Sequence, residues 1–221
     1  MSMQPRLVEV RRNVLKQNDV LAAGLRASFA RAGVSVISLV SSPGTGKTEF
    51  LENTLTRLRD DYKVAALVGD LATANDAARL ARAQVPVKQI VTGTICHLEA
   101  QMVESALREW NLDDLDYLFI ENVGNLVCPS SYDLGEELRV VLMSVTEGED
   151  KPLKYPTIFN TADIAVITKM DLAEAVEFDA AAAHASIQSV RPGMRVFEVS
   201  AKTGTGMNEW LEFVQSRRAA I

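Results

Sequence analysis

The sequence predicts an α/β fold: a mostly parallel sheet of about seven strands with helices on both faces, preceded by an N-terminal helix. Three observations carry this expectation. Seven short apolar runs, at 34–40, 64–68, 87–91, 117–120, 139–145, 164–168 and 196–199, have the length and composition of strands. Helical patterns at 49–60, 74–83, 98–110, 176–190 and 208–217 lie between most of them or after the last. Apolar strands that alternate with helices need cover on both faces, which a parallel sheet provides. The third observation is a glycine-rich turn that joins the first strand to the first of these helices.

Bulk properties exclude several classes. A chain of 221 residues, 48% hydrophobic and 24% charged, suits one globular domain with a sizeable core and a short appendage. The net charge of −6 argues against a broad nucleic-acid footprint. No apolar run approaches the roughly 18 residues of a membrane span, and the N-terminus lacks a signal-peptide layout. The expectation is a cytoplasmic protein with no membrane and no nucleic-acid partner. Two cysteines, Cys96 and Cys128, are too few for a disulfide scaffold.

Residues 4–31 read as one amphipathic helix. Leu7, Val8, Val14, Leu15, Leu21, Leu25 and Phe29 recur near helical spacing, and Gly33 follows as a stop. The chain divides into a helical extension, 1–33, and a nucleotide-binding domain, 34–221. The extension covers the sheet or serves a partner.

The first strand runs into Ser41-Ser42-Pro43-Gly44-Thr45-Gly46-Lys47-Thr48, and a helix follows. This is the phosphate-loop pattern G-x-x-x-x-G-K-S/T in its strand–turn–helix context, with Ser41 where the pattern has glycine. Pro43, Gly44, Thr45 and Gly46 let backbone N–H groups curl around phosphate, and the helix N-terminus adds its dipole. Lys47 reaches the phosphates, and the Thr48 hydroxyl is a ligand for Mg²⁺. The expected architecture is therefore that of a P-loop NTPase.

Asp70 and Glu121 close the strands at 64–68 and 117–120. Glu121-Asn122-Val123-Gly124 resembles the D-x-x-G motif with Glu for Asp, in which the acid holds Mg²⁺ through water and the glycine N–H senses the γ-phosphate. Either acid also reads as a loop or helix cap. Base choice rests on two later motifs. Thr168-Lys169-Met170-Asp171 resembles the N/T-K-x-D loop, whose Asp accepts from N1–H and N2–H of guanine. Adenine presents neither donor there and would leave the carboxylate unpaired. Ser200-Ala201-Lys202 resembles the S-A-K loop that meets guanine O6. In order, each at a strand end, they point to GTP and GDP. Nothing obvious supplies an arginine finger or a water-orienting glutamine, which implies slow intrinsic hydrolysis.

Cys96-His97 follows one strand and Cys128 follows another, both on the nucleotide edge. Two thiolates and an imidazole suit Zn²⁺, Ni²⁺ or Cu(I), and three ligands leave the site open for a symmetric partner to complete. The same residues also read as two buried cysteines beside a capping histidine. The segment 146–156, charged and carrying two prolines, reads as a mobile surface connection.

The stretches 121–129 and 145–156 and the Cys96-His97 pair closely resemble the HypB family, nickel-incorporation GTPases that help mature NiFe hydrogenase. The resemblance covers nearly the whole chain, from the leading helix to Trp210. It implies a SIMIBI-type P-loop fold, a GTP-linked homodimer and a metal site for Ni²⁺ or Zn²⁺ at Cys96, His97 and Cys128. It further implies a nickel-handling accessory protein and the hydrogenase large subunit as partners. The N-terminal cysteine cluster and histidine tract of some members are absent here, so nickel storage is not implied. The urease nickel GTPase has Cys-Pro-His where this chain has Cys96 directly beside His97. Two other readings stay open: a nickel GTPase serving another metalloenzyme such as urease, and a metal-free regulatory G protein.

Overall fold

The computed structural model describes residues 6–70 and 75–218. Seven strands form one sheet: β1 (Ser35–Ser41), β2 (Val64–Asp70), β3 (Val87–Val91), β4 (Tyr117–Glu121), β5 (Leu138–Ser144), β6 (Ile164–Thr168) and β7 (Arg195–Glu198). Their order across the sheet is β3-β2-β4-β1-β5-β6-β7, and every neighbouring pair is parallel. The helices are α1 (Arg6–Ala32), α2 (Lys47–Leu58), α3 (Asn75–Leu80), α4 (Ala100–Leu107), α5 (Lys151–Lys154), α6 (Pro156–Thr161), α7 (Ala180–Val190) and α8 (Met207–Arg218). Residues 4, 5 and 74 of the expected helices, and the side chains of Leu7 and Val8, lie outside the described part.

The two faces of the sheet divide the core. Ile37, Leu39, Val68 and Phe119 point to one face and meet Phe50, Leu51 and Leu55 of α2 and Trp210 of α8. On the other face, Val36, Leu67 and Ile120 meet α1 and α4. Beside them Val40, Val141 and Ala165 meet Ile158 and Phe159 of α6 and Ala183 of α7. Successive strand residues face opposite ways, so continuous apolar runs follow from burial on both sides.

The extension joins this core rather than standing apart from it. Ala22, Leu25 and Phe29 of α1 are buried with Val103 of α4 and Val36 of β1, and burial of Leu25 and Phe29 contributes about 1.5–3 kcal/mol each. Gly135 lies so close that a Cβ there would meet Leu25 Cβ at 2.8 Å and Ala22 O at 2.9 Å. Gly33 ends α1 with φ 67°, and the Val34 N–H donates to Phe29 O, which is a Schellman stop. Val14, placed in the buried stripe by its spacing, is instead 41% exposed. The buried line runs through Asn18 and Ala22, whose small or polar side chains gave no apolar signal.

Two further expectations are corrected. The segment 146–156 is not a mobile connection. A 3-10 turn (Val145–Glu147), α5 and α6 occupy it, with Val145 and Pro152 buried. Its prolines sit in the first turns of α5 and α6, where the missing N–H costs nothing. The helix expected at 98–110 begins later, at Ala100, because Glu99 is extended and the Asn18 carboxamide accepts from Ala100 N at 2.8 Å. Cys96 and His97 therefore stand on a bent link before α4.

From β1 the chain passes through α2 to β2, on one side of the sheet. From β4 it passes to β5, on the other. The loops after these two neighbours diverge and open a crevice at the carboxyl edge.

Candidate functional site

The loop after β1 is held by its own side chains. Gly44 and Gly46 have φ of 76° and 98°, left-handed values that glycine adopts without strain. Ser41, in the place of the pattern's glycine, is fully buried, and the Lys47 ammonium donates to its Oγ at 3.0 Å. Thr45, 1% exposed, also belongs to this interior and does not line the crevice. Its hydroxyl and that of Ser42 both contact the Glu147 carboxylate. Glu147 also accepts from Ser144 N and pairs with Lys151 at 3.1 Å. Burial pushes the Glu147 carboxyl up, but the hydrogen bonds from Ser42, Ser144, Lys151 and Thr45 outweigh it and hold it below the usual range.

Sequence reasoning missed Glu147. A signal existed: Ser144-x-x-Glu147 is a capping-box pattern, and both of its bonds form.

The expected phosphate residues Pro43, Gly44, Gly46, Lys47 and Thr48 line one cavity of about 500 Å³ with Asp70, Glu121, Gly124 and Lys169. Thr48 Oγ1 donates directly to Glu121 Oε1 at 2.8 Å, deep in the site, where Glu121 is 3% exposed. A hydroxyl, the Glu121 carboxylate and the nearby Asp70 are hard oxygen donors, which suit Mg²⁺. Gly124 packs on the phosphate loop: a Cβ there would lie 3.1 Å from the Pro43 N and Cα. Two residues not singled out from the sequence, Glu49 and Arg79, also line this cavity and pair at 2.6 Å.

A second cavity of about 270 Å³ adjoins it, lined by Thr168, Lys169, Asp171, Ala201 and Lys202, with Phe50 and Leu172 as apolar walls. Lys169 takes φ 60° and its ammonium donates to Gly44 O at 2.6 Å. Thr168 Oγ1 donates to Thr45 O at 2.6 Å. A threonine at this position thus ties β6 to the phosphate loop. Ser200 Oγ donates to Asp171 Oδ1 at 2.6 Å and holds the carboxylate in place.

The structure also brings Cys96, His97 and Cys128 together, with one ligand atom from each lying within 4.8 Å of the others. The two cysteine sulfurs lie 2.9 Å apart. The imidazole stacks on Tyr132 at 3.9 Å between centroids, and its Nε2 lies 3.3 Å from Glu99 Oε1. Its Nδ1 is buried without a hydrogen-bond partner. Two soft sulfurs beside an unpartnered ring nitrogen fit a borderline-soft divalent ion.

Fold and loops together define a P-loop nucleotide-binding protein with a thiol–imidazole cluster beside its crevice. Residues 35–198 match the family model described as CobW/HypB/UreG, nucleotide-binding domain. The chain is 47% identical to the hydrogenase maturation factor HypB of Escherichia coli K12, over 98% of this chain and 75% of that protein. It is 41% identical to the hydrogenase/urease maturation factor HypB of Helicobacter pylori, over 96% of this chain and 88% of that protein. The crystal structure of HypB from Helicobacter pylori in complex with nickel superposes with a TM-score of 0.87 at 41% identity, covering 92% of this chain and 96% of that one. The chain belongs to the HypB family of hydrogenase maturation factors. Among the described residues, no helix is long and apolar enough to cross a membrane.

Proposed function

We propose that this protein is a GTP-hydrolysing metallochaperone that delivers nickel during maturation of NiFe hydrogenase. The observation that carries the reading is the convergence of Cys96, His97 and Cys128 on the loop that leaves Glu121. The family's named role and the nickel complex of the Helicobacter pylori relative support it.

In this reading Pro43, Gly44 and Gly46 wrap the phosphates and Lys47 neutralises them. Asp171 selects guanine, with Thr168 and Ser200 holding the loops and Lys169, Ala201 and Lys202 walling the base. Thr48, Asp70 and Glu121 hold Mg²⁺, which supplies charge neutralisation at the β- and γ-phosphates. Gly124, against Pro43, is placed to answer the γ-phosphate through its N–H. Turnover to GDP and phosphate is slow in the isolated chain.

The cargo, Ni²⁺ or Zn²⁺, is held by the thiolates of Cys96 and Cys128 and by His97. Three protein ligands leave the site open, so that a second copy completes it or an acceptor removes the ion. GTP binding sets the homodimer, and the dimer sets metal affinity, a coupling that is reciprocal. The protein works in the cytoplasm with a nickel-handling accessory protein and the hydrogenase large subunit. The Helicobacter pylori relative's double name makes urease the second acceptor to test.

Titration of the metal-free protein with Ni²⁺ and Zn²⁺ in the apo, GDP and GTP-analogue forms, with mass followed by light scattering, tests this. The expected result is one site per chain or one shared site per dimer, with affinity that changes with nucleotide. Metal binding undiminished in a Cys96→Ala, Cys128→Ala double variant would overturn it.

A further inference from the structure

The loop that follows β4 touches the two sites in alternation. Glu121 takes the Thr48 hydroxyl, and Gly124 lies against Pro43. Between and after them, two carboxamides face the other way. Asn125 Nδ2 donates to Cys96 O at 3.3 Å, while its Oδ1 accepts from Val127 N, next to Cys128. Asn122 is the more buried of the two, at 2% exposed. Its Oδ1 accepts from Leu98 N at 3.0 Å and from Val123 N at 2.9 Å. Its own N–H donates to Leu39 O of β1 at 3.0 Å.

Leu98 immediately follows His97 and is itself fully buried. Its side chain fills the space over Gly69 of β2, where a Cβ would come within 2.8 Å. The link that carries Cys96 and His97 is thus anchored at its C-terminal end by the buried Leu98 side chain and by the Leu98 N–H, whose bond ends on the residue after Glu121. A nucleotide with its cation would engage Thr48 directly and Glu121 through water, at the end of β4. Movement of the β4 terminus then reaches Leu98 N through a single buried side chain.

We propose that Asn122 is a positioning residue that transmits nucleotide state to the Cys96-His97 link and so to metal affinity. This rests on the metallochaperone reading above, and it adds a route to the ligand pair distinct from the covalent path along 121–128 to Cys128. A buried acceptor that satisfies two backbone donors is costly to lose, since both N–H groups are left unpaired. Aspartate keeps the two acceptor bonds, so it separates hydrogen bonding from mere side-chain volume. A two-state element biased by both sites is what turns a path of contacts into coupling.

The experiment measures Ni²⁺ and Zn²⁺ affinity of full-length wild type, Asn122→Ala and Asn122→Asp, each loaded with GDP or with a non-hydrolysable GTP analogue. GDP affinity is measured in parallel. Asn122→Ala is expected to keep GDP affinity within about threefold, while the ratio of metal affinities between the two nucleotide states falls to about one. Asn122→Asp retains the wild-type ratio. A ratio that survives in Asn122→Ala overturns the proposal, including when metal affinity drops equally in both states, the mark of a purely structural role. A ratio lost equally in Asn122→Asp also overturns it. Wild type with equal metal affinity in both states sinks the underlying reading instead, and the proposal with it. Amide exchange at Leu98 in the metal-free wild type needs no variant to fold. Protection that differs between GDP and GTP-analogue forms supports the route, and identical protection overturns it.

Discussion

The phosphate loop and the thiol corner lie on the same edge of the sheet but are built in opposite ways. In the loop, Thr45, Lys47, Thr48 and Glu121 are all buried and contact one another or Ser41, Ser42 and Glu147. Those contacts are made within the loop and the strand ends that flank it. In the thiol corner Cys96, His97 and Cys128 are half-buried, the His97 Nδ1 has no partner, and neighbouring Val127 is 62% exposed. What holds the corner lies behind it: Asn122, Asn125 and Asn18 grip its backbone, and Glu99 and Tyr132 flank the ring. One site is preorganised from within. The other is held from behind and left open in front.

The largest effect that would break this contrast concerns the rigid side. Asp171→Asn exchanges an acceptor for an amide donor and should cost about a thousandfold or more in GTP over XTP preference. Competition binding of GTP and XTP checks it, and unaltered preference would remove the guanine assignment. Next comes the open side. Cys96→Ala or Cys128→Ala should weaken Ni²⁺ or Zn²⁺ by more than about 100-fold, since outer contacts alone are worth roughly 10–100-fold. GDP affinity should stay unchanged, because neither sulfur lines the nucleotide cavities.

Smaller effects sharpen the comparison. Asn18 on α1 donates to Asp133 O and accepts from Ala100 N, both at 2.8 Å, so it braces the thiol corner from the extension. Asn18→Ala should cost about 1–3 kcal/mol in urea unfolding, with metal affinity reduced and GDP affinity kept. If GDP affinity fell as far as metal affinity, the two regions would not be separately braced. Glu147→Gln should cost about 1–2 kcal/mol at neutral pH. Here the sign follows from a folded carboxyl held below its ordinary value of 4.5. Its contribution is present above that value and is lost as pH falls through the lower, folded one. Thermal melts of wild type and variant should therefore differ at pH 7 and converge in acid. A constant gap down to acid would show that the charge of Glu147 contributes nothing.

The phosphate loop was legible because one contiguous motif carries it, and its departures from pattern found reasons in space. Ser41 receives Lys47, and Thr168 reaches Thr45 O. The segment 146–156 was misread because charge and proline signal a loop when the partner of Glu147 is unseen. Val14 was misplaced because a helical stripe drawn from apolar residues alone passes over Asn18 and Ala22.

The sequence by itself determined the strand–helix alternation, the parallel sheet, the phosphate-loop turn and the motifs that follow β6 and β7, because each is encoded by periodicity or by residues adjacent in the chain. It also named Cys96, His97 and Cys128 as candidates. Only the tertiary structure decided that the cysteine sulfurs, 32 residues apart in sequence, lie 2.9 Å apart, that α1 braces them, and that Asn122 joins the two sites. Those relations depend on the strand order β2-β4-β1, which sets the end of β4 between the phosphate loop and the link before α4. No local spacing encodes strand order. It emerges when the apolar faces of all seven strands are buried together.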